Sequence, residues 1–344
     1  MKIIKSSVKI LDNDWSIKGI FRAIESAGRT CYKSIGTRYF RLEKGPENSL
    51  ESNLIKQAQS DPRVVCKQGA YFDPAYYLSI PNKFISDYLN IEQFDEENFE
   101  DSPYYENLTA EDFVNMLIKS GHRAMLEHGT VYLYDTYDIS AIGSWTNSLG
   151  YKYSKNKYSK VITNDHMDIR DIYITTNLRV LIENDWLDDL KYVCEPTEYH
   201  AKRVMVRFIC DRGVSHEIVR HRVMSFAQES TRYCNYSKNK FGQELTFIEP
   251  AWEFPSSNIV NTRERFEAML EEAEANYMEL ITLGFKPQEA RAVLPNALKT
   301  EIVVTGFIDD WKHFFELRCD NAAHPDIRKL ALDLQKQFTE RNLI

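Results

Sequence analysis

Three arginines and a histidine lie close together in the stretch Arg220-His221-Arg222-Val223-Met224-Ser225-Phe226-Ala227-Gln228-Glu229-Ser230-Thr231-Arg232-Tyr233, interleaved with hydroxyl and amide side chains. Guanidinium forks pair bidentately with phosphate oxygens, so this grouping suits a phosphorylated small molecule. The same residues also suit a solvated helix end, because cations favour helix C-termini. Composition alone leaves both readings open. Ser230 has no histidine and carboxylate arranged around it as a relay, which makes it a binding hydroxyl rather than a nucleophile. Elsewhere, His122 follows Gly121 at the end of a helical pattern and is placed to meet a ligand.

The whole chain narrows the classes. It has 344 residues, 43% hydrophobic, enough for one large elaborated domain or two smaller ones. Lys plus Arg number 43 against 51 Asp plus Glu, a net −8. That balance argues against coating duplex nucleic acid through bulk positive charge. A mean hydropathy of −0.46 and the lack of a long apolar run exclude a helical membrane span. Met1-Lys2-Ile3-Ile4-Lys5 leads into no signal-peptide core, so a cytoplasmic protein with reduced thiols is expected. Its 6 cysteines form no Cys-x-x-Cys and its 8 histidines no His-Glu-x-x-His, so no metal site is expected. None of the 13 glycines forms Gly-x-Gly, which excludes the Rossmann fingerprint and the P-loop.

The positioning elements follow from periodicity. Ile3–Leu11 reads as a strand and Trp15–Ala27 as a helix stopped by Gly28. Residues 35 to about 105 lose periodicity and end in the acidic stretch Glu92–Asp101, read as an insertion with a solvated face. Thr109 caps a helix that Gly121 ends, and Val131–Asp135 is a strand. A second insertion is expected at 138–200, with Ile172–Ile182 as a strand candidate. Val204–Asp211 is a strand, Val214–Arg222 a helix and Leu245–Ile248 a short strand. Phe266, Met269, Leu270, Ala273, Tyr277, Leu280 and Ile281 stripe a long helix stopped at Gly284, and Pro287 opens another that Pro295 closes. Glu301–Thr305 is a strand. Asp309 or Asp310 caps a helix with Trp311, Phe314, Phe315 and Arg318, and Pro325 opens a last one with Ile327, Leu330, Ala331, Leu334 and Phe338 inward. Without a βαβ rhythm, the class is α+β.

Arg220-His221-Arg222, seven residues and then Ser230, with Arg232-Tyr233 following, resembles the Arg-His-Arg-x7-Ser signature of the flavin-dependent thymidylate synthases. Ala290–Pro295 resembles that family's second dUMP-binding stretch, and His313–Arg318 with Ala322–Arg328 its third. Gly121-His122 with Leu126-Glu127-His128 is similar to its Gly-His-Glu-Ser-x-x-Glu-His stretch. The resemblance is weak over 1–34, moderate over 109–135 and good over 203–340. It implies a largely antiparallel sheet flanked by helices, in a homotetramer with active sites between subunits. It also implies FAD as cofactor, with NADPH and 5,10-methylenetetrahydrofolate as co-substrates, and conversion of dUMP to dTMP. His122, Arg220, His221, Arg222, Gln228 and His313 would contact FAD. Glu217, Arg220, Gln228, Glu229, Ser230, Thr231, Arg232, Arg291 and Arg318 would contact dUMP, with Arg291 reaching from a neighbouring subunit. Arg318 would be the catalytic residue, stabilising charge that develops on the uracil ring.

The sequence also departs from that pattern. Glu217 stands where the family commonly has Gln and Gln228 where it has Glu. Ala124 replaces a Ser or Thr, and Phe307-Ile308-Asp309 replaces Asn-x-Arg. Two rivals follow: a nucleotide-binding regulator without turnover, and a single-stranded nucleic-acid binder using the 20 tyrosines, which the −8 charge disfavours.

Overall fold

The computed structural model describes residues 1–32, 39–42, 50–60, 65–68, 76–79, 105–106, 109–140, 145–238 and 242–344. The chain divides into two compact units, residues 1–34 with 117–344, and residues 35–116. Most of the first expected insertion, including its acidic stretch, lies outside the described residues.

The chain opens with β1 (Lys2–Lys5), β2 (Ser7–Leu11) and α1 (Ile17–Tyr32). The smaller unit has β3 (Tyr39–Leu42), α2 (Leu50–Ser60), β4 (Val65–Gln68), β5 (Tyr76–Ser79) and β6 (Tyr105–Glu106), with strands ordered β4-β5-β3-β6 and all antiparallel. Helix α3 (Thr109–Lys119) spans the boundary. The larger unit resumes with a 3₁₀ turn (Arg123–His128), β7 (Thr130–Asp138), α4 (Leu149–Ser154), β8 (Lys160–His166), β9 (Ile169–Asn177) and α5 (Leu178–Glu183). It continues with β10 (Arg203–Asp211), α6 (Arg212–Ile218), β11 (Ser225–Gln228), β12 (Thr246–Glu249) and α7 (Thr262–Thr282). Then come α8 (Pro287–Ala290), β13 (Lys299–Phe307), α9 (Ile308–Arg318) and α10 (Pro325–Glu340).

The sheet that matters for the site is antiparallel, in the order β11-β13-β10-β2. Side chains alternate across a strand, so β10 serves two cores at once. Val204, Val206, Phe208 and Cys210 face a cluster with Trp311, Phe314 and Phe315 of α9 and Ile327, Leu330, Leu334 and Phe338 of α10. Met205, with Val303 and Ala227, faces Ala23 and Ala27 of α1. The result is helix, sheet and helix in three layers. A second sheet, β7-β9-β8, is built largely from the region 138–200.

This is the expected α+β class with antiparallel sheets, although β1 and β12 pair in parallel. Several boundaries differ from expectation. Ile3–Leu11 is two strands: β1 joins β12 while β2 joins β10, so the chain changes sheet at Ser6. Helix α1 passes Gly28, which keeps negative φ, and Arg29 ties back to Glu25 at 2.6 Å. Ile172–Ile182 divides at Asn177, whose side chain accepts the Val180 N–H at 3.2 Å and caps α5. Neither Asp309 nor Asp310 is the N-cap of α9. Phe307 holds that place, its N–H donating to Asp310 at 2.9 Å, while Asp309 pairs with Lys160 at 3.1 Å.

Trp311 is fully buried, and its indole N–H donates to the Val204 carbonyl at 3.2 Å. Trp311→Ala is expected to lower the unfolding free energy by about 3–5 kcal/mol, read from urea midpoints. A loss below about 1 kcal/mol would mean this cluster is not what binds α9 to the sheet.

Candidate functional site

Asp211 starts α6 by accepting the Val214 N–H at 2.7 Å. The helix ends at Ile218, four residues short of the expected Arg222. Turns replace it, with His221 N–H on Ile218 O at 3.2 Å and Met224 N–H on His221 O at 3.0 Å. They bury His221 and leave Arg220 and Arg222 exposed.

His221 meets Arg318, at the C-terminus of α9. The Arg318 Nε–H donates to His221 Nε2 at 3.1 Å, Nη1 to Glu217 Oε2 at 2.7 Å, and Nη2 to the Glu217 carbonyl at 3.0 Å. Of five guanidinium N–H groups, two are left for a ligand. Burial, then the charges of Arg318 and His313, push the His221 pKa down to about 4. The imidazole is therefore neutral, with Nε2 bare to accept and Nδ1 carrying the proton.

The remaining expected site residues spread over several settings. Gln228 Nε2–H donates to the Ser215 hydroxyl at 2.8 Å and to the Thr300 hydroxyl at 3.3 Å. Glu229 is buried, pairing with Lys299 at 3.0 Å and accepting the Tyr236 hydroxyl at 3.0 Å. Burial alone would lower the Lys299 pKa; Glu229 and Glu301 outweigh it and hold it above its ordinary value. The Ser230 hydroxyl accepts the Arg232 N–H at 3.3 Å, Arg232 is exposed over the Tyr233 ring, and buried Thr231 accepts from Arg291 Nη1 of the same chain at 3.3 Å. His122 is exposed just after Gly121, whose φ of 77° closes α3. His313 is exposed and pairs with Glu316 at 3.3 Å. Thus Glu217, His221 and Arg318 form one knot, while Glu229 and Thr231 are built into the interior.

A cavity of about 510 Å³, which the chain reaches at Arg222 directly after His221, is lined by Arg222, Val223, Met224 and Ser225, by Arg203 and Phe307, and by Lys157, Tyr158, Lys160 and Arg179. Sequence reasoning missed Arg203. It opens β10, is buried, and donates to Glu127 O at 3.0 Å and Thr130 Oγ1 at 3.2 Å. Its Nε has no hydrogen-bond partner. The signal was an arginine directly preceding the apolar run Val204-Met205-Val206. Glu127, next to His128, takes Arg179 at 2.6 Å and the Ser225 hydroxyl at 2.8 Å. Lys157, Lys160 and Arg179 were missed because their region lies outside the resemblance. Among the described residues no group of His, Cys, Asp and Glu could hold a metal ion.

Residues 197–341 match the family model described as thymidylate synthase complementing protein. The flavin-dependent thymidylate synthase of Pyrococcus furiosus is 34% identical over 136 residues, covering 39% of this chain and 52% of that protein. That of Geobacter sulfurreducens is 35% identical over 123 residues, covering 36% and 50%. Residues 197–341 are thus similar to the flavin-dependent thymidylate synthases. The chain spans about half the length of the curated relatives it matches. A solved UMP/dUMP methylase from Streptomyces cacaoi, bound with 5-Br UMP, overlays on 40% of this chain and 69% of its own, with a TM-score of 0.34 and 18% identity. The matched segment contains the whole knot and every expected site residue except His122.

The knot has a pH signature. His128, fully buried, is pushed by burial and then by Arg203 down to about 3, and His221 lies at about 4, both below 6.5. The unfolded chain therefore binds more protons between those values and 6.5, so stability present above about pH 6.5 is lost as pH falls toward 4. Urea midpoints taken from about pH 7 to about pH 4 should fall, and His221→Asn should flatten part of that slope. An unchanged slope would show that His221 is not held neutral.

Proposed function

We propose that this chain is a flavin-dependent thymidylate synthase. It would convert dUMP to dTMP with 5,10-methylenetetrahydrofolate and NADPH, using FAD, as a cytoplasmic homotetramer. The observation that carries this reading is Arg318, fixed by Glu217 and His221 within the segment similar to that family, with two N–H groups still to give.

The residues fit a phosphate-bearing cofactor. Arg203, buried and with an unpartnered Nε, lines the cavity, as does Arg222, which has no side-chain partner among the described residues. Arg220, His221 and Arg222, with His122, His313 and Gln228, would hold the flavin. When bound, it supplies the hydride that the folate then need not give up.

This chain's own part is electrostatic. Arg318 presents a permanent cation whose orientation is fixed in advance, so it can stabilise negative charge developing on a pyrimidine without reorganising. Glu217 holds that cation but also partly neutralises it. The neutral amide of Gln228 is held by the Ser215 and Thr300 hydroxyls and adds no negative charge at its own position. Arg220, Arg232 and Arg291, with the Ser230 hydroxyl, are the groups for the nucleotide phosphate. Arg291, tied to Thr231 of its own chain, would reach the nucleotide of a neighbouring subunit.

The test is dTMP formation by purified protein given dUMP, methylenetetrahydrofolate and NADPH, with and without FAD. Product should require FAD, and Arg318→Ala should lower turnover about 10²- to 10³-fold. Glu217→Ala, which leaves the guanidinium but frees it, should cost less. Binding of dUMP and FAD without product would instead make the chain a nucleotide-binding regulator.

A further inference from the structure

The region 138–200 lies outside the matched segment, yet it contributes to the cavity that Arg222 lines. Lys157 and Tyr158 precede β8, Lys160 opens it, and Arg179 lies in α5; all line the same 510 Å³ space as Arg222. That volume is ordinary for a small-molecule site. The lining carries five lysine and arginine side chains against three carboxylates, in a protein whose net charge is −8. The carboxylates are already committed: Glu127 to Arg179 and Ser225, Glu183 to Arg179 at 2.9 Å, and Asp310 to the Phe307 N–H.

The cations are less committed. Arg222 and Lys157 have no carboxylate partner among the described residues, Lys157 resting only on the Tyr158 ring at 4.9 Å. Lys160 lies 4.4 Å from the Phe307 ring centre and pairs with Asp309, itself 73% exposed, a contact worth little in water. Tyr158 and Val223 expose apolar surface at the same place, 58% and 77% accessible. Uncommitted cations beside exposed apolar groups suit a ligand that is anionic at one end and planar at the other.

We infer that Lys157 and Lys160 complete the cofactor site, acting with Arg222 on the diphosphate of the flavin dinucleotide. This rests on the synthase reading above. The added region is then part of the binding machinery, and the matched segment alone lacks two of the cations that hold the cofactor.

Equilibrium binding to the full chain tests this, with FAD, riboflavin, dUMP and NADPH as separate probes. Lys157→Ala and Lys160→Ala should each raise the FAD Kd by about tenfold, leaving riboflavin, which has no phosphate, and dUMP unchanged. Asp309→Ala removes the same ion pair from the other side and should leave FAD binding equal or tighter. An unchanged FAD Kd in both lysine variants overturns the inference. So does an Asp309→Ala loss equal to that of Lys160→Ala, which would make the lysine a brace for α9. Weakened NADPH or dUMP binding with intact FAD binding overturns it too, assigning the cations to another phosphate. If the unaltered chain binds neither flavin, the synthase reading itself falls.

Discussion

The nine-residue antiparallel ladder between β10 and β13 is the constraint on which the site depends. Arg203 lies opposite Phe307 and Asp211 opposite Lys299, so the two strands finish at opposite ends. From one end springs α6 and from the other α9. At about 3.4 Å per residue the ladder is about 30 Å long, while helices of 11 and 7 residues at about 1.5 Å per residue reach about 16 and 10 Å. Launched from opposite ends, with both helices in the core beneath Val206 and Phe208, they come within contact near the middle. That is where Glu217 and His221 receive Arg318. A slip of one residue in the ladder would turn Val204, Val206 and Phe208 to the other face and part the knot.

Sequence spacing revealed those parts governed by local rules. The α9 and α10 stripes were legible because their burial repeats at helical period, and Trp311, Phe314, Ile327, Leu330 and Phe338 are all buried as expected. The Arg220–Tyr233 chemistry was legible from composition and resemblance together. The early end of α6 was not, because nothing at Val219 or Arg220 breaks a helix. It is the tertiary demand of burying His221 against Phe314, ring centres 4.9 Å apart, that bends the chain. The change of sheet at Ser6 was equally hidden, since strand-like chain resumes directly after it while the pairing partner changes. Arg203 left only a faint signal and Lys160 none, because each acts through neighbours far away in sequence.

Positions 217 and 228, where the sequence departs from the pattern it resembles, now have physical partners. Glu217 supplies a carboxylate to Arg318, and Gln228 bridges two hydroxyls that need no charge. The carboxylate at 217 therefore sits on the guanidinium, while position 228 carries no charge. Glu229, one residue further on, obeys the same logic. A carboxylate buried there is tolerable only because Lys299 and the Tyr236 hydroxyl satisfy it, and removing either partner would leave it uncompensated. That internal pair anchors the start of the Ser230–Arg232 turn, so residues facing the solvent inherit their position from one that never meets it.

Neutral His221 closes the argument. A protonated imidazole would place a second cation about 3 Å from Arg318 and lose the lone pair that the Nε–H needs. Burial prevents this by making the charged form costly, and the Arg318 charge adds to the same effect. The arginine thereby helps keep its own acceptor competent. Such mutual dependence fixes a long, flexible side chain without a second carboxylate, which would quench the positive potential the site requires. Neutral imidazole positions the cation, and one carboxylate sets its strength.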